Sequence, residues 1–167
     1  MTATSTSTHT RTQTATHLSD IVMATMGDVL NHLGIDASRL LRNWDRDQKA
    51  IAAWIYEGSL KHVVLECHQP SGAVAPVLEF PVSYTSAKVG DQAFVTSQAR
   101  IVGYLAKIAS VPAGSTYKLF CEFNGPRTPQ DGWSPGTRAS MNDLRGRTIG
   151  TVASAPHAST SARIYTR

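Results

Sequence analysis

The stretch Ser115 to Gly125 reads STYKLFCEFNG. Tyr117, Leu119, Cys121 and Phe123 fall on every second position with Lys118 and Glu122 between them, the period of a strand with one buried face. Asn124 and Gly125 stop it, and beyond them the chain changes character. The 42 residues 126–167 hold three prolines before position 136, repeated Gly and Ser, and large apolar residues only at intervals: Trp133, Met141, Leu144, Ile149, Val152, Ile164 and Tyr165. Short strands are expected around Thr148–Ala153 and Ala162–Tyr165. So long an irregular stretch in a compact domain is uncommon and usually functional or disordered. The spaced anchors predict a tail that docks at several points on a frame it does not itself build.

Working back from Tyr117, Pro112 and Gly114 end a helix predicted over Asp91–Ser110, with Phe94, Ile101, Leu105 and Ile108 on its apolar side. Gly103 inside it costs roughly 1 kcal/mol against Ala. Leu60–Cys67 and Val77–Tyr84 read as strands joined by a turn at Pro70, Ser71 and Gly72. Pro81 cannot donate to a ladder, which predicts an edge or a bulge for the second of them, while Tyr117–Phe123 is expected at the centre of the sheet.

Earlier still, Leu18, Ile21, Val22, Met26, Val29, Leu30 and Leu33 make a helical stripe that Gly34 ends. A second helix is predicted from Asn43, its cap, to Gly58, with Ile51, Ala52, Trp54 and Ile55 inward and Trp44 and Trp54 as core anchors. Asp45 and Asp47 at its start suit the macrodipole. The Thr-rich residues 1–16 read as a flexible leader able to pair with a sheet edge.

A chain of 167 residues suits one domain with a core of its own. The opening has no apolar h-region and no run of 18 apolar residues occurs, which argues against a secretory signal and a membrane span. Two cysteines, Cys67 and Cys121, in predicted strands and possible cross-strand neighbours, point to reduced thiols in a cytoplasmic protein. The net charge of +4 comes entirely from residues 126–167, where Arg127, Arg138, Arg145, Arg147, Arg163 and Arg167 face only Asp131 and Asp143. A basic tail makes nucleic-acid binding the alternative function, although the dispersal of these arginines disfavours it.

No phosphate-binding, dinucleotide-binding or nucleophile-elbow motif is present. His62, Glu66 and His68 would share one strand face with Cys67 on the other, so they do not converge as a zinc site; they read as solvent-facing polar residues. Cys121 reads as packing. The pattern points to a binding protein rather than an enzyme, with no metal or cofactor.

The order of elements resembles the HORMA domain, in particular its bacterial members in the cyclic-oligonucleotide antiphage operons known as CBASS. The resemblance is carried by STSTHTRTQTATHLSDIV at Ser5 to Val22, by STYKLFCEFNG at Ser115 to Gly125, and by GWSPGTRASMNDLRGRTIG at Gly132 to Gly150 with STSARIYTR at Ser159 to Arg167. It implies an α+β fold of three helices on a mostly antiparallel sheet, with residues 17–125 as core and 126–167 as a C-terminal safety belt. In such proteins the belt leaves one sheet edge, wraps a partner peptide that adds as a strand, and re-docks on the opposite edge. Release then waits on belt opening, so the barrier lies in dissociation.

The resemblance further implies that Tyr117, Leu119, Phe123, Trp133, Met141, Leu144, Ile149, Val152, Ile164 and Tyr165 form the peptide-binding and belt surface. The implied partners are a closure-motif peptide, from a phage protein or a second HORMA protein, and a cGAS/DncV-like nucleotidyltransferase. A TRIP13/Pch2-type AAA+ ATPase would open the belt by pulling the leader at Thr8, Thr10 and Thr12.

Overall fold

The computed structural model describes residues 2–85, 94–96 and 99–167, with the side chains of residues 2–9 and of Val95 outside the description. Four helices and six strands are found among these residues: α1 (Thr2–Leu33), α2 (Ser38–Arg42), α3 (Trp44–Glu57), β1 (Leu60–His68), β2 (Val74–Tyr84), β3 (Val95–Thr96), α4 (Ala99–Leu105), β4 (Thr116–Phe123), β5 (Arg145–Ala155) and β6 (Ala158–Thr166). The sheet order is β3-β5-β6-β2-β1-β4, and every pairing in it is antiparallel.

Strand alternation sorts the sheet into two faces. Val63, Leu65 and Cys67 of β1, Leu78 and Phe80 of β2, and Ala162 and Ile164 of β6 meet the helices. The stripe of α1, with Leu18, Val22, Met26, Val29, Leu30 and Leu33 wholly buried, and Ile51 and Trp54 of α3 close over them. Burying an aliphatic side chain of this size contributes about 1.5–3 kcal/mol, so this face supplies the frame's stability. The far face carries no helix in this core cluster, yet Val64, Glu66, Val77 and Glu79 on it are buried too. What covers part of that face is the stretch between β4 and β5.

Several expectations need correction. The strand at Tyr117–Phe123 exists but is the sheet's margin, not its centre: among the described residues only β1 pairs with it. Its strong alternation reports one buried face, which an edge strand has as readily as a central one. Conversely β2, expected to lie at an edge or carry a bulge because of Pro81, is paired on both sides, with its register unbroken at Pro81. The Pro81 carbonyl faces β6 and accepts the Thr160 hydroxyl at 3.0 Å. In an antiparallel strand a residue's N–H and C=O point the same way, so the missing donor falls on the β6 side. There the Thr160 side chain takes over part of the ladder's work.

The helix expected over Asp91–Ser110 is only Ala99–Leu105. Phe94 is 44% exposed, and Val95–Thr96 pair with β5 instead; residues 91–93 and 97–98 lie outside the described residues. A further short helix, α2, precedes α3. Asn43 occupies the N-cap of α3 without a side-chain cap bond. Cys67 and Cys121 are not neighbours, because their cross-strand partners are Tyr117 and Val63.

The expected leader is helical from Thr2. Threonine is a poor helix former, but tertiary contacts hold the segment. Arg11 lies over the Tyr56 ring at 4.8 Å and donates to the Tyr56 carbonyl at 2.6 Å, and the buried Thr14 hydroxyl donates to the Pro156 carbonyl. That last contact joins α1 to the β5–β6 turn, where His157 takes a left-handed φ of +78° after Pro156, a turn position that ordinarily favours Gly or Asn.

A strap around the free margin of the sheet

Residues 126–144 leave β4, cross its outer margin and reach the far face before β5 begins. Two clamps hold this path. On the helix side, the Trp54 indole N–H donates to the Thr128 carbonyl at 2.7 Å, and the Glu57 carboxylate accepts from the Thr128 amide at 3.0 Å and hydroxyl at 2.8 Å. The Ser59 hydrogen bond, with those from Thr128, outweighs the opposing effect of burial and holds the Glu57 carboxyl below its usual range. Trp133 then packs edge-on against Trp54 with centroids 5.4 Å apart, Trp54 meets Phe123 at 4.8 Å, and Arg127 caps the Phe123 ring at 4.3 Å. Gly136 passes so close to Phe120 that a Cβ there would lie 3.2 Å from the ring, which is where the strap turns over the margin.

The second clamp lies on the far face. Arg138 donates to Glu122 at 2.6 Å and lies 3.7 Å from Glu66 and 3.8 Å from Glu79. The Ala139 amide donates to Glu66 at 3.0 Å, and His68 meets the other Glu66 oxygen at 3.0 Å. His62 stands 3.1 Å from Glu122 and 3.8 Å from Glu79. One guanidinium thus faces three carboxylates, two of them almost wholly buried. Burial, the largest influence on Glu122, opposes its ionisation. The Arg138 hydrogen bond, the neighbouring His62 and the Arg138 charge outweigh it, holding that carboxyl below its ordinary value.

Undocking the strap would expose these carboxylates to water as it removes their partner, so desolvation and ion pairing nearly offset each other. The reading of His62, Glu66 and His68 as solvent-facing is therefore corrected: they do share a face, but Glu66 is 1% exposed and His62 8%. Strap residues that a strand-by-strand reading has no means to place provide the cover.

Between the clamps the strap arches clear of β4. A cavity of about 670 Å³ is lined by Leu119, Cys121 and Phe123 of β4, Trp54 of α3, and strap residues including Trp133 and Pro135. A second, of about 370 Å³, adjoins it where Arg39, Arg46 and Asp47 face Tyr117, Lys118 and Trp133. Together they run along the unpaired side of β4, within the size range of binding clefts.

Of the residues expected at the site, Tyr117, Leu119, Phe123 and Trp133 ring these cavities. Met141, whose sulfur lies 3.2 Å from the Arg138 guanidinium, and Leu144 follow the second clamp. Ile149, Val152, Ile164 and Tyr165 belong to the β5–β6 hairpin at the opposite end of the sheet, where Val152 and Ile164 are core. Thr10 and Thr12 lie on α1, and the Thr8 side chain is outside the description. Sequence reasoning missed Arg39, Arg46, Phe120 and the Arg138 cluster; one glutamate in each of three otherwise largely apolar strands, Glu66, Glu79 and Glu122, was the available signal.

Among the tail arginines, Arg127, Arg138 and Arg147 contact Phe123, the glutamates and Tyr104 respectively. Burial pushes the Cys67 thiol up to about 12. Burial and then the Asp47 charge carry Cys121 above the ordinary thiol range, so both are poor nucleophiles. The described residues hold no group of three or more His, Cys, Asp or Glu side chains arranged to bind a metal, and no described helix is long and apolar enough to cross a membrane.

No curated protein matches the sequence. Among solved structures, a chain of the mitotic checkpoint complex superposes with a TM-score of 0.74 at 11% identity, over 92% of this chain and 98% of that one. HTP-1 of C. elegans bound to the HIM-3 closure motif gives 0.64 at 12% identity, over 89% and 88%. The HORMA:CdnC:Trip13 complex of E. coli MS115-1 gives 0.60 at 13%, over 93% and 89%. At these identities the likeness is one of fold. The profile of the family described as Bacterial HORMA domain 2 matches residues 2–167, and by that match the chain belongs to the bacterial HORMA domain family.

Proposed function

We propose that this protein is a peptide-capturing sensor and adaptor whose belt, residues 126–167, closes around an extended segment laid along β4. The observation that carries the reading is the pair of cavities between an unpaired strand margin and a strap clamped on both sides of it. An added strand would supply main-chain partners to that margin. It would also bring carbonyl oxygens to the Trp133 indole N–H, which is buried without an acceptor among the described residues. With the hairpin docked on β2, the belt stands in the arrangement that holds a peptide, and release requires one clamp to open. Capture by related folds of a closure motif, as in HTP-1 bound to the HIM-3 motif, supports the same mode here.

The peptide-bound form presents a surface to a cGAS/DncV-like nucleotidyltransferase in cytoplasmic antiphage signalling, and a TRIP13/Pch2-type ATPase resets it. The E. coli assembly of a HORMA protein with CdnC and Trip13 supports both partners. The ATPase would grip the α1 start near Thr8, Thr10 and Thr12. Because α1 contacts the β5–β6 turn through Thr14 and Pro156, unravelling α1 loosens the docked hairpin directly.

Peptide display on the full chain, followed by dissociation kinetics, tests the reading. Binders should leave slowly, and adding the ATPase with ATP should speed their release. Absence of any binder from a large random library, or nucleotide synthesis by the cognate nucleotidyltransferase that ignores both protein and peptide, would overturn it.

A further inference from the structure

The two cavities under the strap differ in chemistry, and the difference specifies what they hold; this step rests on reading the β4 margin as a peptide site. Charged residues in the smaller cavity are Arg39, Arg46, Lys118 and Asp47, and Asp47 is already engaged by Arg46 at 3.0 Å. Arg39 lies over the Tyr117 ring at 4.6 Å and spends one donor on the Tyr117 carbonyl at 2.8 Å. A guanidinium has five N–H donors, so both arginines retain capacity for a carboxylate. Arg46 rests against the strap where Gly132 has no side chain; a Cβ there would come within 2.6 Å of it. The larger cavity is walled by Trp54, Phe120, Phe123, Trp133 and two prolines, and Arg127 is its one charged lining residue.

We infer that the captured strand is acidic and aromatic: one carboxylate side chain against Arg39 and Arg46, and one large aromatic or aliphatic side chain among Trp54, Phe123 and Trp133. Arg39 and Arg46 come from α2 and α3, and Trp54 from α3, so both subsites open on the helix side of the sheet. Side chains on one face of a strand recur every second residue. The smaller cavity reaches β4 at Tyr117–Phe120 and the larger at Leu119–Phe123, so the two anchors stand two or four residues apart. The Trp133 indole N–H, on a residue that lines both cavities, donates to a main-chain carbonyl between them.

The experiment is display selection of random twelve-residue peptides on the full chain, then affinities of the best peptide and of its acid→amide version. Both peptides are measured against the native protein and Arg46→Gln, with circular dichroism confirming that the variant folds. The expected result is enrichment of Asp or Glu two or four positions from an aromatic residue. Neutralising the acid should weaken binding about tenfold in low salt, and Arg46→Gln should erase most of that difference. Trp133→Phe, which keeps a ring but removes the N–H, should weaken both peptides alike. Tight binders with no acidic preference, or equal weakening of both peptides by Arg46→Gln, would overturn the charge assignment and leave peptide capture standing. A selection that yields no binder would overturn both.

Discussion

The two margins of the sheet are built on opposite principles. At one end the β5–β6 hairpin adds a long antiparallel pairing to β2 and pushes Val152, Ala162 and Ile164 into the helix-covered core. At the other end β4 has no strand on its outer side among the described residues, and the strap that crosses it touches the frame at two clamps with cavities between. Hydrophobic burial is non-directional and strong; the strap relies instead on directional hydrogen bonds and ion pairs whose net worth is small. Under the proposed function, a sheet secured in this way would keep its hairpin docked while its opposite margin admits and releases a guest.

The sharpest way to break that contrast is to cut equal amounts of side chain from each margin. Ile164→Ala on the hairpin should cost about 2–5 kcal/mol in urea unfolding, as large-to-small core changes do. Leu119→Ala on β4 should cost about 1 kcal/mol or less, because part of its surroundings is already void. Equal losses would mean that the β4 margin is as well packed as the hairpin.

Arg138→Ala comes next. It leaves Glu66 and Glu79 buried without their cation, a loss on the order of 3 kcal/mol that partial exposure of Glu122 moderates. The visible result should be rapid tryptic cleavage after Arg127 and Arg145 while the core resists. A strap as protease-resistant as the native one would deny Arg138 its role.

Acid gives a smaller effect with a definite sign. The folded-state pKa of Glu122 lies below its unfolded value, so its contribution is complete above the ordinary glutamate range and disappears as pH falls through the depressed value. Unfolding midpoints should therefore drop on acidification through that range, and drop less in Arg138→Ala. A steeper fall in the variant would reverse the assignment. The smallest expected effect is none: with its thiol buried and pushed up to about 12, Cys67 should not alkylate at neutral pH in the folded chain, and its rapid modification would show the sheet opening away from the helices.

How much of this was written in the chain differs by element. The stripe from Leu18 to Leu33, the apolar face of α3 and the alternation at Tyr117–Phe123 were legible because each is a local periodicity against one partner surface. The helix expected at 91–110 misled because Phe94, Val95 and Ile101 fit a helical stripe and a short strand before a helix equally well. Thr2–Thr14 misled in the other direction: its composition describes an isolated segment, whereas Arg11 and Thr14 find partners in Tyr56 and Pro156. Glu66 was misread as solvent-facing since what covers it arrives from residue 139, 73 positions later.

The amino-acid order alone marked an α+β frame with apolar faces and a change of character at Asn124. It read the tail as spaced anchors on a frame built by others, whereas β5 and β6 of that tail build part of the sheet and its core. Which strand became the margin, which face the strap crossed and which charges met beneath it were decided only in three dimensions. The reason is that burial of a strand face is a local property visible in every second residue. Pairing, covering and charge neutralisation instead join residues far apart in sequence, and no period in the chain records them.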